Sequence, residues 1–256
     1  MDRHSEDNVQ RKLRLCMAQM TSTNRHAGNI AFVEEAAAHA ADQGCHLLAL
    51  PEAAGMMNKD RDDARSQITQ EADDPFVTAC KALAARHGIW IQTGSTPVAS
   101  GDGRFLNHGN LIDDTGASVA QYDKIHLFDV FLEGRPPTGE SNRYAPGREA
   151  VLVDTPWGPW GLTICYDLRF PHLYRDFAKR GATVMFIPSA FTVPTGDAHW
   201  ETLLRARAIE NGAFVVAAAQ VGLHDDGRKT WGHSMIVDPW GKVMVDMGGS
   251  EPGLAV

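Results

Sequence analysis

The sequence predicts a single mixed α/β domain, and three observations carry that reading. Short apolar, strand-like runs alternate with helical runs along most of the 256 residues, the arrangement that layers helices on sheets. No change of composition marks a linker. No fixed-period repeat divides the chain. At 43% hydrophobic and 22% charged residues, the composition is that of an ordinary soluble domain, and the length suffices to bury a substantial core. Residues 1–12 are polar and stand apart as an N-terminal extension, which leaves 13–256 as the domain.

Each element has a local reason. Leu13 to Met20 runs with the period of two expected of a strand. Asn29 to Gln43 is rich in alanine with apolar residues at helical spacing, and Gly44 stops it. His46 to Leu50 reads as a short buried strand. A second helix spans Phe76 to His87, ends at Gly88 and leads to the strand Ile89–Thr93. Asn110–Asp113 and Ser118–Tyr122 flank Asp114-Thr115-Gly116 as a hairpin. Residues 133–149 hold three prolines, three glycines and many charges, so they read as a long loop of the kind that often serves as a lid. Strands at Ala150–Val153 and Trp160–Ile164 follow, then a helix over about Phe170–Arg180 and the strand Thr183–Ile187. A helix over about Ala198–Asn211 precedes the strand Phe214–Ala219. Ser234–Val237 and Lys242–Asp246 close the series around the turn Asp238-Pro239-Trp240-Gly241. Periodicity leaves open whether the sheets stack or form one layer.

Charge and cysteine usage narrow the function. A net charge of −8 argues against nucleic acid or an anionic membrane as the main partner, and no local block of Lys or Arg reverses that. No run approaches the roughly 18 apolar residues of a membrane span. The polar start of the chain lacks the apolar stretch of a secretory signal. Cys16, Cys45, Cys80 and Cys165 lie far apart without a CxxC pair, so neither a metal site nor a disulfide framework is expected. The expected compartment is a reducing cytoplasm, where a nucleophilic thiol stays reduced.

The chemistry is concentrated in three places. In Gly161-Leu162-Thr163-Ile164-Cys165-Tyr166-Asp167-Leu168-Arg169-Phe170, an apolar strand delivers a cysteine to its tip before the chain turns into a helix. That geometry presents a nucleophile with a backbone N–H beside it. Glu52 closes the apolar run Leu47-Leu48-Ala49-Leu50-Pro51, and Lys124 ends the strand before Ile125-His126-Leu127-Phe128-Asp129. Singly, these are a core thiol, a loop carboxylate and a surface lysine; together they suggest acyl transfer. A free thiol titrates near ~8.5 and needs an adjacent base or cation. Glu52 suits the base, and burial is expected to raise it toward neutrality. Lys124 with the Tyr166 N–H suits an oxyanion hole. The expected cycle is attack on an amide or nitrile carbon, protonation of the leaving ammonia by Glu52, and hydrolysis of the resulting thioester. It calls for no metal and no organic cofactor.

The segments Leu50-Pro51-Glu52, Tyr122-Asp123-Lys124-Ile125-His126-Leu127-Phe128 and Ile164-Cys165-Tyr166-Asp167-Leu168-Arg169-Phe170 resemble the nitrilase (carbon–nitrogen hydrolase) superfamily, with its Glu-Lys-Cys triad. Pro188-Ser189-Ala190-Phe191, Thr195 to Glu201, Leu204 to Glu210 and Gly232 to Gly241 resemble its Nit branch, which holds the deaminated glutathione amidases and ω-amidases. The resemblance implies a four-layer α-β-β-α sandwich and homodimers or larger homo-oligomers packed through the outer helices. It implies a closing strand and C-terminal tail beyond Gly253-Leu254-Ala255-Val256. It also implies a second active-site carboxylate, Glu140 of the pair Glu140-Ser141, with Glu133 as the alternative.

Phe191 and Thr195 are expected to face the cleft and touch substrate, as is Tyr166. Arg169 is a candidate for a substrate carboxylate, although a local ion pair is the favoured role. His199-Trp200-Glu201 lacks a further ligand pair, so capping and packing are expected there. The leading reading is an amidase acting on a small carboxylate-bearing amide in metabolite repair. An ω-amidase, N-carbamoylase or nitrilase remains within the same chemistry. An inactive binding scaffold, or a cysteine protease pairing Cys165 with His126, His199 or His233, would be a different class.

Overall fold

The structure is a computed structural model that describes residues 12–131 and 138–256. Along the chain, β1 (Leu15–Gln19) leads to α1 (His26–Asp42), β2 (Leu47–Ala49), the short α2 (Arg61–Arg65) and α3 (Pro75–His87). Next come β3 (Trp90–Gln92), β4 (Thr96–Ala99), β5 (Phe105–Ile112), β6 (Ser118–Asp123), β7 (Asp129–Val130) and β8 (Thr138–Gly139). The second half holds β9 (Val151–Thr155), β10 (Gly158–Leu162), α4 (Pro171–Lys179), β11 (Val184–Phe186), α5 (Val193–Asn211) and β12 (Phe214–Ala217). A small hairpin of β13 (Val221–Leu223) and β14 (Lys229–Trp231) precedes β15 (Met235–Val237), β16 (Val243–Asp246) and β17 (Gly253–Ala255).

Two sheets result. The first has the order β17-β1-β2-β3-β5-β4 with β6 on β5, and the second the order β16-β15-β12-β11-β10-β9. Each has a parallel centre, β1-β2-β3 and β10-β11-β12. Parallel neighbours need crossovers, and the helices supply them. Side-chain alternation then fixes the layers. Met17, Leu47 and Ala49 face a core shared with Trp160, Leu162 and Ile164 of the second sheet. Their neighbours Cys16, Ala18, Leu48 and Leu50 point the other way, onto Val33, Ala36, Phe76 and Leu83 of α1 and α3. On the far side, Leu173, Tyr174, Phe177, Trp200 and Leu204 of α4 and α5 cover the second sheet. The order is helix, sheet, sheet, helix, as the resemblance implied. Each of these large side chains, removed from water, contributes about 1.5–3 kcal/mol.

The helix ends follow their sequence signals. Asp74 caps α3 by accepting the Val77 N–H at 2.9 Å, Pro75 occupies the first turn, and Gly88 takes the left-handed φ of +61° that ends it. Helix α5 begins at Val193, five residues before the expected Ala198. The reason is Pro194, which reads as a loop residue yet fits a first helical turn, where its missing N–H costs nothing. Strand β4, helix α2 and the β13–β14 hairpin were not foreseen. Within the expected loop of 133–149, the described part forms β8 and one 3₁₀ turn, Glu140–Asn142. The last residues, read as carrying no element, form β17 and pair antiparallel with β1. Among the described residues no helix is long and apolar enough to cross a membrane.

Candidate active site

Glu52, Lys124 and Cys165 meet in a cavity of about 410 Å³ at the C-terminal ends of β2, β6 and β10. Cys165 and Glu52 are each delivered by a locally constrained turn. Beyond β10, the Thr163 and Cys165 N–H groups donate to Phe186 and Pro188 carbonyls at 3.1 and 2.9 Å, which holds the chain against β11. Cys165 then adopts a left-handed φ of +52° and opens the 3₁₀ turn Cys165–Arg169. A non-glycine residue held there stores about 1–3 kcal/mol of strain, which the surroundings must enforce.

Asp167 does much of the enforcing. Fully buried, it accepts the Ile164 N–H at 2.8 Å and the Tyr122 hydroxyl at 2.7 Å on one oxygen. On the other it accepts the His126 N–H at 3.0 Å and meets His126 Nδ1 at 2.7 Å. The nucleophile turn is thereby tied to the segment that carries Lys124.

Glu52 is set by a second constrained loop. Ala53 has a φ of +56°, its N–H donates to Ser95 Oγ at 2.8 Å, and Gln220 Nε2 donates to the Glu52 carbonyl at 2.9 Å. Gly94 makes this possible. With a φ of +65°, a Cβ there would stand 1.8 Å from the Pro51 carbonyl oxygen.

The side chains form one network. Lys124 Nζ lies 2.9 Å from Glu52 Oε1 and 2.9 and 3.2 Å from the two Glu140 oxygens. Asn107 Nδ2 donates to Glu52 Oε1 at 2.9 Å and to Glu140 Oε1 at 3.3 Å. Glu140 Oε2 also accepts the Phe128 N–H at 2.6 Å, and Glu52 Oε2 accepts the Ala190 N–H at 2.9 Å. Cys165 lines the same cavity as Glu52 and Lys124, close enough for their charges to act on its thiol.

Burial alone would discharge all three groups, with Lys124 2% and Glu52 6% exposed. For Glu52 burial pushes upward, but Lys124 and three hydrogen bonds pull the carboxyl below its ordinary range. This reverses the expected rise toward neutrality: a cation at 2.9 Å outweighs desolvation. For Lys124, Glu140 and then Glu52 more than offset burial and hold the ammonium well above its usual range. Burial and the Glu52 charge push the Cys165 thiol well up. The resting site therefore pairs an ionised Glu52 with a protonated thiol.

The remaining expected residues fall around the same cavity. Tyr166, Phe191, Thr195 and Arg169 all line it. Arg169 makes no ion pair among the described residues, contrary to expectation. Asp167, its nearest acidic neighbour in sequence, is turned inward to Tyr122 and His126, so the guanidinium instead lies 5.9 and 5.6 Å from the Tyr166 and Phe191 ring centres. Its Nη2 sits 3.2 Å from His199 Nδ1. Glu140 occupies the second-carboxylate position; Glu133, the alternative, lies outside the described residues. None of His126, His199 and His233 lines the cavity. The His126 ring stacks on Phe170 at 3.5 Å, and the other two border a separate cavity of about 200 Å³. Among the described residues no group of three or more His, Cys, Asp and Glu is placed to hold a metal ion.

Sequence reasoning missed Asn107, Gln220, Lys59, Arg143 and Arg228. Asn107 is one of three polar side chains, with His108 and Asn110, that β5 buries, and nothing in the sequence singles it out from the other two.

The whole chain can be compared with known proteins. The carbon–nitrogen hydrolase family profile matches residues 14–256. The deaminated glutathione amidase of Yersinia enterocolitica is 41% identical over 90% of this chain and 81% of its own length. The crystal structure of the Caenorhabditis elegans NitFhit protein superposes with a TM-score of 0.85 at 38% identity, covering 94% of this chain and 59% of that one. A mutant of the amidase from Nesterenkonia sp. AN1, showing Michael addition of acrylamide at its active-site cysteine, gives a TM-score of 0.82 at 28% identity. It covers 95% of this chain and 91% of that one. With fold, site geometry and sequence in agreement over nearly its full length, the chain belongs to the carbon–nitrogen hydrolase family.

Proposed function

We propose that this protein is an amidase that hydrolyses deaminated glutathione or a close analogue in metabolite repair, through a thioester on Cys165. The observation that carries the chemistry is the Lys124 ammonium held 2.9 Å from both Glu52 and Glu140 in the cavity that Cys165 also lines. In the proposed cycle Glu52 takes the thiol proton as the sulfur attacks the amide carbon. Lys124 Nζ and the Tyr166 N–H, at the start of the 3₁₀ turn, receive the negative charge that develops on oxygen. Glu52 passes its proton to the leaving nitrogen, the C–N bond breaks and an acyl thioester remains. Water then gives a proton to Glu52 and its oxygen to the acyl carbon, which releases the acid and restores the thiol. Glu140 keeps the buried Lys124 charged. Phe191, Thr195 and Arg169 are the proposed contacts for the retained acyl half.

The four free, buried cysteines fit a reducing cytoplasm as the place of action. Assembly as a homodimer or larger homo-oligomer belongs to the same reading, supported by the exposed Ile209, Trp240 and Met244 beside α5.

Incubation with deaminated glutathione, α-ketoglutaramate and a simple nitrile, followed by intact-mass measurement, tests the proposal. An acyl adduct on Cys165 from the first substrate is the expected result. Inactivity on all three would defeat the substrate, and turnover lost only on replacing a histidine would favour a protease.

A further inference from the structure

The face of β5 and β6 turned away from the cavity holds a pair that the chemistry at Cys165 does not touch. In this antiparallel pairing His108 stands opposite Asp123. One step further toward the site, Asn107 meets Lys124, whose N–H donates to the Asn107 carbonyl at 3.0 Å. Asn107 and Lys124 line the cavity, and His108 and Asp123 do not. Alternation sends the second pair to the opposite face, where His108 Nδ1 lies 2.7 Å from Asp123 Oδ1. A carboxylate only accepts, so Nδ1 carries its proton in the charged and the neutral ring alike.

The ring is committed to this one bond. His108 is buried, and its Nε2 has no partner among the described residues. The Asp123 side chain is 34% exposed and borders a separate cavity of about 730 Å³.

Two features make this a place that needs a clamp. Among the described strands β6 pairs with β5 alone, and it ends at Asp123, so Lys124 hangs one residue past the edge strand. At the far end of the ladder the register shifts between Leu111 and Ile112, which disrupts the pairing there. A slip of one residue would turn Lys124 to the wrong face. The bond between His108 and Asp123 pins the rung beside the site. The same stretch of β5 also abuts the Glu52 loop, since a Cβ on Gly109 would stand 2.5 Å from the Gly94 carbonyl oxygen.

We infer that His108 and Asp123 form a positioning pair for the acyl-transfer step, holding Asn107 and Lys124 at the distances that Glu52 and Glu140 require. The inference rests on the amidase reading above, and it gives a role in turnover to two residues outside the cavity.

Steady-state kinetics on deaminated glutathione test it, with Asp123→Ala, Asp123→Asn, His108→Leu and the double variant His108→Leu, Asp123→Ala. In Asp123→Ala and in His108→Leu, kcat is expected to fall about ten-fold with KM changed by less than about two-fold, because the catalytic groups are misaligned and the substrate contacts are not. Asparagine keeps an acceptor oxygen, so Asp123→Asn is expected to retain about half or more of the wild-type kcat. The double variant should be no slower than the slower single one, since both substitutions remove the same bond. Asp123 is partly exposed, so its variants should fold; if His108→Leu does not, the comparison of Asp123→Ala with Asp123→Asn decides alone. An unchanged kcat in Asp123→Ala, a loss confined to KM, equal losses in the Ala and Asn variants, or losses that multiply in the double variant would each overturn the pair and leave the amidase reading standing. A wild-type protein that neither turns over the substrate nor gains an adduct on Cys165 removes the amidase reading and the pair with it.

Discussion

Glu52 must stay ionised although it is buried, and the cost of that is met by Lys124 at 2.9 Å and Asn107 at 2.9 Å. Replacing Cys165 with Ser, Glu52 with Gln or Lys124 with Met should each lower kcat by about 10³-fold or more, since each removes a group the bond-making step requires. Asn107→Leu is a milder case. It leaves the triad in place but unfixes two carboxylates, so kcat should fall about 10- to 100-fold with little change in KM, as steady-state kinetics would read.

The pH profile follows from the signs. Activity needs Glu52 deprotonated, and its carboxyl is held below its ordinary range. It needs Lys124 protonated, and that ammonium is held well above its usual range. With the thiol also pushed up from its ordinary range, kcat/KM should be level across the neutral range. A bend near ~6.5 would instead implicate a histidine base.

At the level of elements, two turns carry the site, and each has a residue that cannot be exchanged. Asp167→Ala would leave the Tyr122 hydroxyl and the Ile164 and His126 N–H groups without their acceptor. The expected loss is about 3–5 kcal/mol, measurable by urea unfolding. Gly94→Ala would drive a methyl group into the Pro51 carbonyl and should cost about 3 kcal/mol with a displaced Glu52, seen as a lower Tm together with a lower kcat.

The triad was legible in the sequence because each member stands at a strand end, Glu52 and Cys165 after apolar strands and Lys124 after the mixed strand β6, and three such residues together have few structural excuses. Glu140 became legible only through the resemblance. Arg143 and Arg228 were not legible at all, because they sit among polar residues and join the cavity only when distant segments meet. The expected ion pair of Arg169 failed for a related reason: sequence proximity to Asp167 says nothing about which way that carboxylate turns. Helix α5 began early because a proline was read as a break where it served as a start.

Over the whole molecule, a chain of net charge −8 encloses a cavity where Lys59, Lys124, Arg143, Arg169 and Arg228 outnumber Glu52 and Glu140. Anionic substrates should feel the cavity's field at close range and lose it as salt shortens the Debye length to about 8–10 Å. For the carboxylate-bearing substrate, kcat/KM should therefore fall between low and moderate NaCl while kcat stays constant. A rise with salt would mean that the overall negative charge governs approach instead. The layering has a further consequence. Glu52 and Lys124 hang from the first sheet and Cys165 from the second, so neither half owns the chemistry. Thiol reactivity should thus arrive late during refolding, in step with the docking of the halves, and timed alkylation of Cys165 would serve as a clock for that final event.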